Sequence, residues 1–114
     1  MARKGVAERL RRFALSLPEA YEDFPWGETV VKVNKKVFAF LGTGDRFTVK
    51  LHDSHPQALA VPGAVPAGYG LGRAGWVTIS LAEDTPPAGV LCDWIEESYR
   101  IVAPKRLSAG LDAP

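Results

Sequence analysis

Residues 30–52 read VVKVNKKVFAFLGTGDRFTVKLH, and this stretch decides the fold. Apolar and polar residues alternate through most of it, with a period of two that is typical of β-strands with one buried face. Turn-forming residues interrupt the alternation at Asn34-Lys35 and at 42–45. The pattern therefore predicts three consecutive antiparallel strands, at residues 30–33, 36–41 and 46–52.

Two-residue turns at Asn34-Lys35 and Thr43-Gly44 predict a register in which Phe40 lies opposite Phe47. The predicted core face of the sheet carries Val31, Val33, Phe38, Phe40, Phe47, Val49 and Leu51. The predicted outer face carries Val30, Lys32, Val37, Ala39, Leu41, Arg46, Thr48, Lys50 and His52. One buried and one mostly solvated face are usual for an antiparallel sheet.

Helices are predicted on both sides of this sheet region in the sequence. Apolar residues at helical spacing predict a first helix at residues 4–17 and a last helix that begins at Asp84 or Thr85 and ends before Pro104. Ser54 suits the N-cap of a short helix that runs to about residue 61. Residues 62–75 are rich in Gly and Pro and predict a loop.

The predicted order is therefore helix, three strands, short helix, a fourth strand at 76–81, and a last helix. Two amphipathic helices need an apolar surface, and the sheet offers one. We expect an α+β fold, a two-layer sandwich with an antiparallel sheet of about four or more strands and the N- and C-terminal helices packed on one face. Residues 1–107 form the predicted single domain, and residues 108–114 a flexible tail.

Composition limits the function classes. The chain has 114 residues, 46% hydrophobic and 24% charged, which is typical of one globular domain. The net charge is only +1, so nucleic-acid binding would need a local basic patch. One cysteine, Cys92, forms no internal disulfide, and no apolar run predicts a leader or a membrane span. We expect a cytoplasmic monomer with no membrane partner.

Short motifs in a fixed order carry a family resemblance. They are Leu17-Pro18, Pro25-Trp26-Gly27, Lys36-Val37-Phe38-Ala39, Val49-Lys50, Gly75-Trp76-Val77, and Glu97-Ser98-Tyr99 with Val102 and Lys105. Over about residues 8–107 the chain resembles the MmcQ/YjbR family of small bacterial proteins. That resemblance implies a CyaY-like (frataxin-like) fold and DNA binding through a double-wing arrangement. It implies no catalytic motif and no cofactor, so we expect no enzyme activity.

The outer sheet face is the candidate binding surface. Lysine and arginine contact phosphates without reading sequence, and an aromatic ring offers a surface on which a base stacks. The predicted nucleic-acid-binding residues are Lys32, Lys36, Arg46, Lys50, Arg73 and Trp76. The same face also suits docking of a protein partner, or it is simply solvated with Trp76 covered by the 62–75 loop. An enzyme that uses this loop is a third alternative.

Other motifs are better explained by structure than by chemistry. Residues 70–75 match GxGxxG, but a loop precedes them and a strand follows, which is the wrong context for a dinucleotide site. His52, Asp53 and His55 lack the further ligand that a zinc site needs, so we predict no metal. The basic residues of the first helix, among them Arg9, are typical of a solvated helix face.

Overall fold

The computed structural model of the chain describes residues 4–42, 45–68, 70–81 and 85–112. The helices are α1 (Lys4–Ser16), α2 (His55–Leu59), α3 (Ala88–Val102) and α4 (Lys105–Gly110). The strands are β1 (Tyr21–Asp23), β2 (Thr29–Val33), β3 (Lys36–Gly42), β4 (Arg46–Lys50), β5 (Val65–Pro66) and β6 (Trp76–Ser80). Single turns of 3-10 helix occur at Pro25–Gly27 and Leu71–Ala74.

The six strands form one antiparallel sheet in the order β1-β2-β3-β4-β6-β5. Helices α1 and α3 pack against each other and against β3, and α3 also contacts β4. The predicted two-layer α+β sandwich is therefore confirmed. Both edge strands, β1 and β5, are short. Strand β5 lies in the segment that was predicted as a loop, and β1 lies between the first predicted helix and the first predicted strand. Among the described helices, none is long and apolar enough to cross a bilayer.

The core lies between the helices and the inner sheet face. Leu10 of α1, Phe47 of β4 and Tyr99 of α3 are fully buried there. The Tyr99 ring lies 5.2 Å from that of Phe38, with an interplanar angle of 84°. The Tyr99 hydroxyl donates a hydrogen bond of 2.7 Å to the carbonyl of Pro18. This bond fixes the chain directly after α1 against α3.

The β2–β3 hairpin turns at Asn34 and Lys35, as predicted. Val33 pairs with Lys36, and both turn residues have positive φ, 51° for Asn34 and 66° for Lys35. A turn with two positive φ angles matches the twist of the flanking strands. The predicted register is therefore correct at this end of the hairpin.

A bulge in β3 then shifts the register. Val31 pairs with Ala39 while Lys32 pairs with Val37, so Phe38 is an extra residue on β3. Phe38 and Ala39 are both fully buried in the core. A bulge of one residue inverts the facing of every residue beyond it.

The inverted facing corrects two parts of the predicted face assignment. Phe40 pairs with Thr48 of β4, not with Phe47, and lies on the outer face. Ala39 and Leu41, expected on the outer face, belong to the core. The prediction of an inward Phe40 was wrong because strict alternation leaves no place for the extra residue.

Ser98 of α3 completes the hydrogen bonding at the bulge. The backbone amide of Lys50 donates to the Ser98 hydroxyl oxygen at 2.9 Å. The same hydroxyl donates to the carbonyl of Phe38 at 2.6 Å. A side chain of the helix layer thus replaces a direct bond between β3 and β4, and it joins the two layers.

The predicted helix caps differ from the observed ones. Ser54 is the N-cap residue of α2, but its hydroxyl makes no bond within that helix and donates instead to Glu97 at 2.7 Å. Helix α3 begins at Ala88 after Pro87, later than predicted, and without a side-chain cap. Thr85 precedes it as a buried residue, and Asp84 lies outside the described residues.

The segment after Pro104 is helical through Gly110, where the sequence predicted a flexible tail from residue 108. Leu107 is buried in the core cluster, which anchors α4. The Arg100 guanidinium donates two bonds, of 3.0 and 3.1 Å, to the carboxylate of Asp112. Apolar burial and this ion pair order the chain up to Asp112, the last described residue.

Candidate binding groove on the outer sheet face

A groove of about 730 Å³ runs along the outer sheet face. Its volume is within the roughly 300–1,000 Å³ of ordinary small-molecule sites. Residues from β3, β4 and β6 form its floor, and the segment between β5 and β6 forms one wall. Side chains that line it include Glu28, Phe40, Arg46, Thr48, Leu71 and Thr78. We call this feature the outer groove.

Phe40 is aromatic and is one of the described residues that line the outer groove. Its ring centroid lies 5.5 Å from that of Trp76, with an interplanar angle of 74°. Trp76 itself is only 8% exposed, whereas Phe40 is partly exposed. Trp76, the predicted stacking residue, is therefore largely buried, and Phe40 is the more exposed of the two rings and lines the groove.

Two threonines form a hydroxyl pair on the groove floor. Thr48 of β4 and Thr78 of β6 are directly paired across the strands, and their Oγ1 atoms lie 2.8 Å apart. Their side chains alternate with the core residues Phe47 and Ile79, which is why the hydroxyls lie on the outer face. The pair is the polar centre of an otherwise mostly apolar floor.

Two of the predicted phosphate-binding cations have acidic neighbours. Arg46 lies 3.6 Å from the carboxylate of Glu28, at the groove. Lys32 Nζ lies 2.8 Å from the carboxylate of Asp23 on β1. The hydrogen bond from Lys32 and a second one from the Phe24 amide lower the pKa of Asp23, and the same contact with Asp23 raises the pKa of Lys32. An anionic ligand must compete with both carboxylates.

The other predicted site residues are spread over the surface. Lys50 pairs with Trp76 on the outer face, four residues along β4 from Arg46. Arg73 is exposed in the 3-10 turn that also holds Leu71. Within the described ranges no ion pair involves Lys36, Lys50 or Arg73. The structure brings Arg46, Lys50 and Trp76 to one face.

Lys36 is separated from that set. It pairs with Val33, whose side chain is in the core, so Lys36 belongs to the inner side of the pleat at the end of the sheet. Lys32 and Lys50 lie toward this same end, and Arg46 with the outer groove lies toward the other. A rise of 3.3 Å per residue puts Arg46 and Lys50 about 13 Å apart along the strand.

The glycines at 70–75 have structural roles. A Cβ on Gly75 would lie 2.7 Å from the carbonyl oxygen of Leu51, and Gly75 has φ 98°. A Cβ on Gly72 would lie 2.8 Å from the Cβ of Pro66. Both positions require glycine because backbone and ring atoms approach closely. This agrees with the interpretation that the GxGxxG match has a structural role and is not a dinucleotide site.

Other candidate reactive side chains form structural contacts or are buried. Arg11 donates two bonds, of 2.6 and 2.9 Å, to Glu22 and so ties α1 to β1. Burial raises the pKa of the Cys92 thiol, which makes it a poor nucleophile. In the described part of the chain, no three His, Cys, Asp or Glu side chains form a group suited to a metal ion.

Sequence reasoning missed Phe40, Thr78, Glu28 and Leu71 as groove residues. Thr48, which also lines the groove, was assigned to the correct face but to no role. A signal for Phe40 was present: the unbroken apolar run from Val37 to Leu41 does not alternate, as a bulged strand with residues on both faces often does not. Glu28 and Leu71 lie in connecting segments, whose position the sequence pattern does not specify.

The fold and the outer groove define a small α+β protein with one helix-covered and one open sheet face. A family model described as YjbR matches residues 15–101, so the chain belongs to the YjbR family. The family resemblance noted in the sequence is thus confirmed. The fold is similar to the crystal structure of Deinococcus radiodurans protein DR2400, with domain DUF419, at 28% identity and a TM-score of 0.64. The similarity covers 94% of this chain and 88% of that one. No match was found among curated proteins.

Proposed function

We propose that this chain is a non-enzymatic module that binds nucleic acid, DNA in particular, with weak sequence specificity. In this proposal it acts as a monomer in the cytoplasm. The observation that carries the proposal is the outer groove, which combines a partly exposed aromatic ring with an arginine on a face that also holds Lys32 and Lys50. Aromatic rings beside basic side chains are the usual contacts of proteins that bind strands without reading a sequence.

The contacts extend along the sheet rather than into a duplex groove. Arg46 at the groove and Lys50 about 13 Å away on β4 suit two non-adjacent phosphates of one strand. Lys32 of β2 lies on the same face toward the Lys50 end, and Arg73 contributes from the wall. Specificity is weak in this proposal because none of the described helices offers Arg, Asn or Gln side chains to the outer face for major-groove readout.

A salt titration tests the proposal. Labelled single-stranded and duplex DNA of equal length are titrated with the wild-type chain between about 20 and 200 mM salt. Phosphate contacts by Arg46, Lys50 and Lys32 give a slope of log affinity against log salt of about −2 on single strands. The variant Lys32→Ala/Lys50→Ala should flatten this slope to about −0.7, the value for the one remaining contact.

The matched control removes two cations from the helix layer, which lies on the opposite side of the sheet. Arg9→Ala/Lys105→Ala changes the net charge by the same amount, and it should leave the slope unchanged. Absence of binding at 100 µM protein and low salt would refute the proposal, since that concentration already covers the weak end of ordinary non-specific binding, about 10⁻⁴ M.

A protein partner is the second candidate, and edge strand β1 favours it. Tyr21 is 42% and Phe24 is 57% exposed, and β1 has a neighbouring strand on one side only. Open strand edges beside exposed aromatic side chains suit the addition of a strand from a partner. Binding through this edge would depend little on salt and would be weakened by Phe24→Ser, whereas Lys50→Ala/Arg73→Ala, at the other side of the sheet, would leave it intact.

A further inference from the structure

The outer groove has two chemical components that phosphate contacts do not require. One is the ring of Phe40, and the other is the hydroxyl pair of Thr48 and Thr78. Leu71, 37% exposed, adds an apolar wall on the side of the β5–β6 segment. A flat, partly polar organic ring fits this combination better than a sugar-phosphate chain does.

The Phe40 ring is held in place from the sheet side. Trp76 is almost fully buried and contacts Phe40 edge to face, which limits the rotation of both rings. A ring that is already fixed loses little conformational entropy when a ligand stacks on it. Trp76 is thus a positioning residue for Phe40.

The hydroxyl pair offers hydrogen bonds of both kinds. In the pair one hydroxyl donates to the other at 2.8 Å, so one O–H remains available as a donor together with acceptor lone pairs. Reversing the direction of the internal bond exchanges the donor and acceptor positions. The edges of all nucleobases carry donors or acceptors, so the pair satisfies several bases without selecting one.

We infer that the outer groove holds one unpaired nucleobase of a single strand, with Phe40 against the base, Thr48 and Thr78 at its polar edge and Arg46 on the adjacent phosphate. This inference rests on the proposed function and specifies it. Bases in a duplex are stacked and paired, so a duplex cannot place one in the groove without unstacking it. The chain is therefore a single-strand binder with little preference among bases.

The test compares a labelled ten-nucleotide oligothymidylate with an abasic strand of ten tetrahydrofuran phosphates, which carries the same charge. The wild-type chain should bind the base-bearing strand at least about tenfold more tightly, as stacking of one base on an aromatic ring accounts for. The variant Phe40→Leu should reduce this ratio to about threefold or less. Phe13→Leu, an aromatic change on α1 in the helix layer on the opposite side of the sheet, should leave the ratio unchanged.

A second variant tests the base pocket independently, in case Phe40→Leu does not fold. Thr48→Val keeps the shape of the side chain and removes one hydroxyl, and it should weaken binding of the base-bearing strand about threefold with no effect on the abasic strand. Equal affinity for the two strands, with the salt slope retained, would overturn the base pocket while leaving the proposed function standing. Absence of binding to either strand at 100 µM would overturn both.

Discussion

At the scale of single residues, Ser98 links the helix layer to the sheet through hydrogen bonds to two strands. It lies in the helix layer, yet its hydroxyl takes part in the strand pairing of β3 and β4 through Lys50 and Phe38. Ser98 is fully buried, so no solvent replaces these bonds if the hydroxyl is lost. Among the described residues, no buried side-chain nitrogen or oxygen lacks a partner, and Ser98 contributes to that.

We expect Ser98→Ala to destabilise the chain. The change leaves a buried amide and a buried carbonyl without their partner, which costs about 1–3 kcal/mol in the free energy of unfolding. Urea unfolding followed by circular dichroism measures the difference. Ser108→Ala is the control, because the Ser108 hydroxyl donates only to the exposed Lys105 carbonyl at 3.3 Å, and it should change stability by less than about 0.5 kcal/mol. Equal effects of the two variants would contradict the role given to Ser98.

At the scale of elements, Glu97 joins α3 to the turn that follows β4. Its carboxylate accepts bonds from the backbone amides of His52 and Ser54, at 2.8 and 3.2 Å, and from the Ser54 hydroxyl. Burial alone would raise the pKa of Glu97, but these hydrogen bonds outweigh it and the pKa is lowered. The negative charge is therefore more favourable in the folded chain than in the unfolded one.

A lowered pKa in the folded state makes this stabilisation depend on pH. It is fully present above the ordinary glutamate pKa, and it is lost as the pH falls through the lower pKa of the folded state. Glu97→Gln should therefore reduce the free energy of unfolding by roughly 1–2 kcal/mol at pH 7, and the difference should shrink below about pH 4. Denaturant unfolding of both proteins across this range measures it.

The control for this prediction is Glu96→Gln. Glu96 contacts Arg100 one turn along α3, at a partly exposed position, so its loss should cost under about 1 kcal/mol. A difference between wild type and Glu97→Gln that stays constant from pH 7 to pH 3 would show that the effect comes from packing and not from charge.

Elements also set the limit of what the sequence could predict. Periodicity was sufficient for α1, for β2 to β4 and for α3, because each has an apolar face that contacts the core. It was insufficient for the Phe38 bulge, since the extra residue is accommodated by Ser98, some 60 positions away. The outer groove depends on this bulge, because the bulge places Phe40 on the outer face. The sequence therefore predicted neither the bulge nor the groove. The short strands β1 and β5 were missed because two or three residues show no period.

At the scale of the whole molecule, the numbers of acidic and basic residues are nearly equal. On the outer face, too, acidic side chains lie next to basic ones. Asp23 and Glu28 lie beside Lys32 and Arg46, so much of the attraction for phosphate is offset within the chain. In the proposed function these carboxylates are intramolecular competitors of the ligand. Their removal exposes two cations without adding a contact.

We expect Glu28→Gln to strengthen binding of single-stranded DNA. The Glu28–Arg46 pair is half exposed, and such pairs contribute at most about 1 kcal/mol, so the gain should be no more than about fivefold. The salt slope should steepen by up to about 0.7, the contribution of one phosphate contact. Glu8→Gln on α1 serves as the control of equal charge and should have no effect. Unchanged affinity in Glu28→Gln would indicate that Arg46 does not contact the ligand.

Cys92 can report the separation of the helix layer from the sheet. It is the single cysteine of the chain, it is buried in α3, and its pKa is raised, so a thiol-labelling reagent reacts with it slowly while α3 is docked. Because α3 also holds Ser98 and Glu97, its departure from the sheet breaks the strand pairing at the bulge and the link to the turn after β4 together. The labelling rate therefore reports the frequency with which the two layers separate.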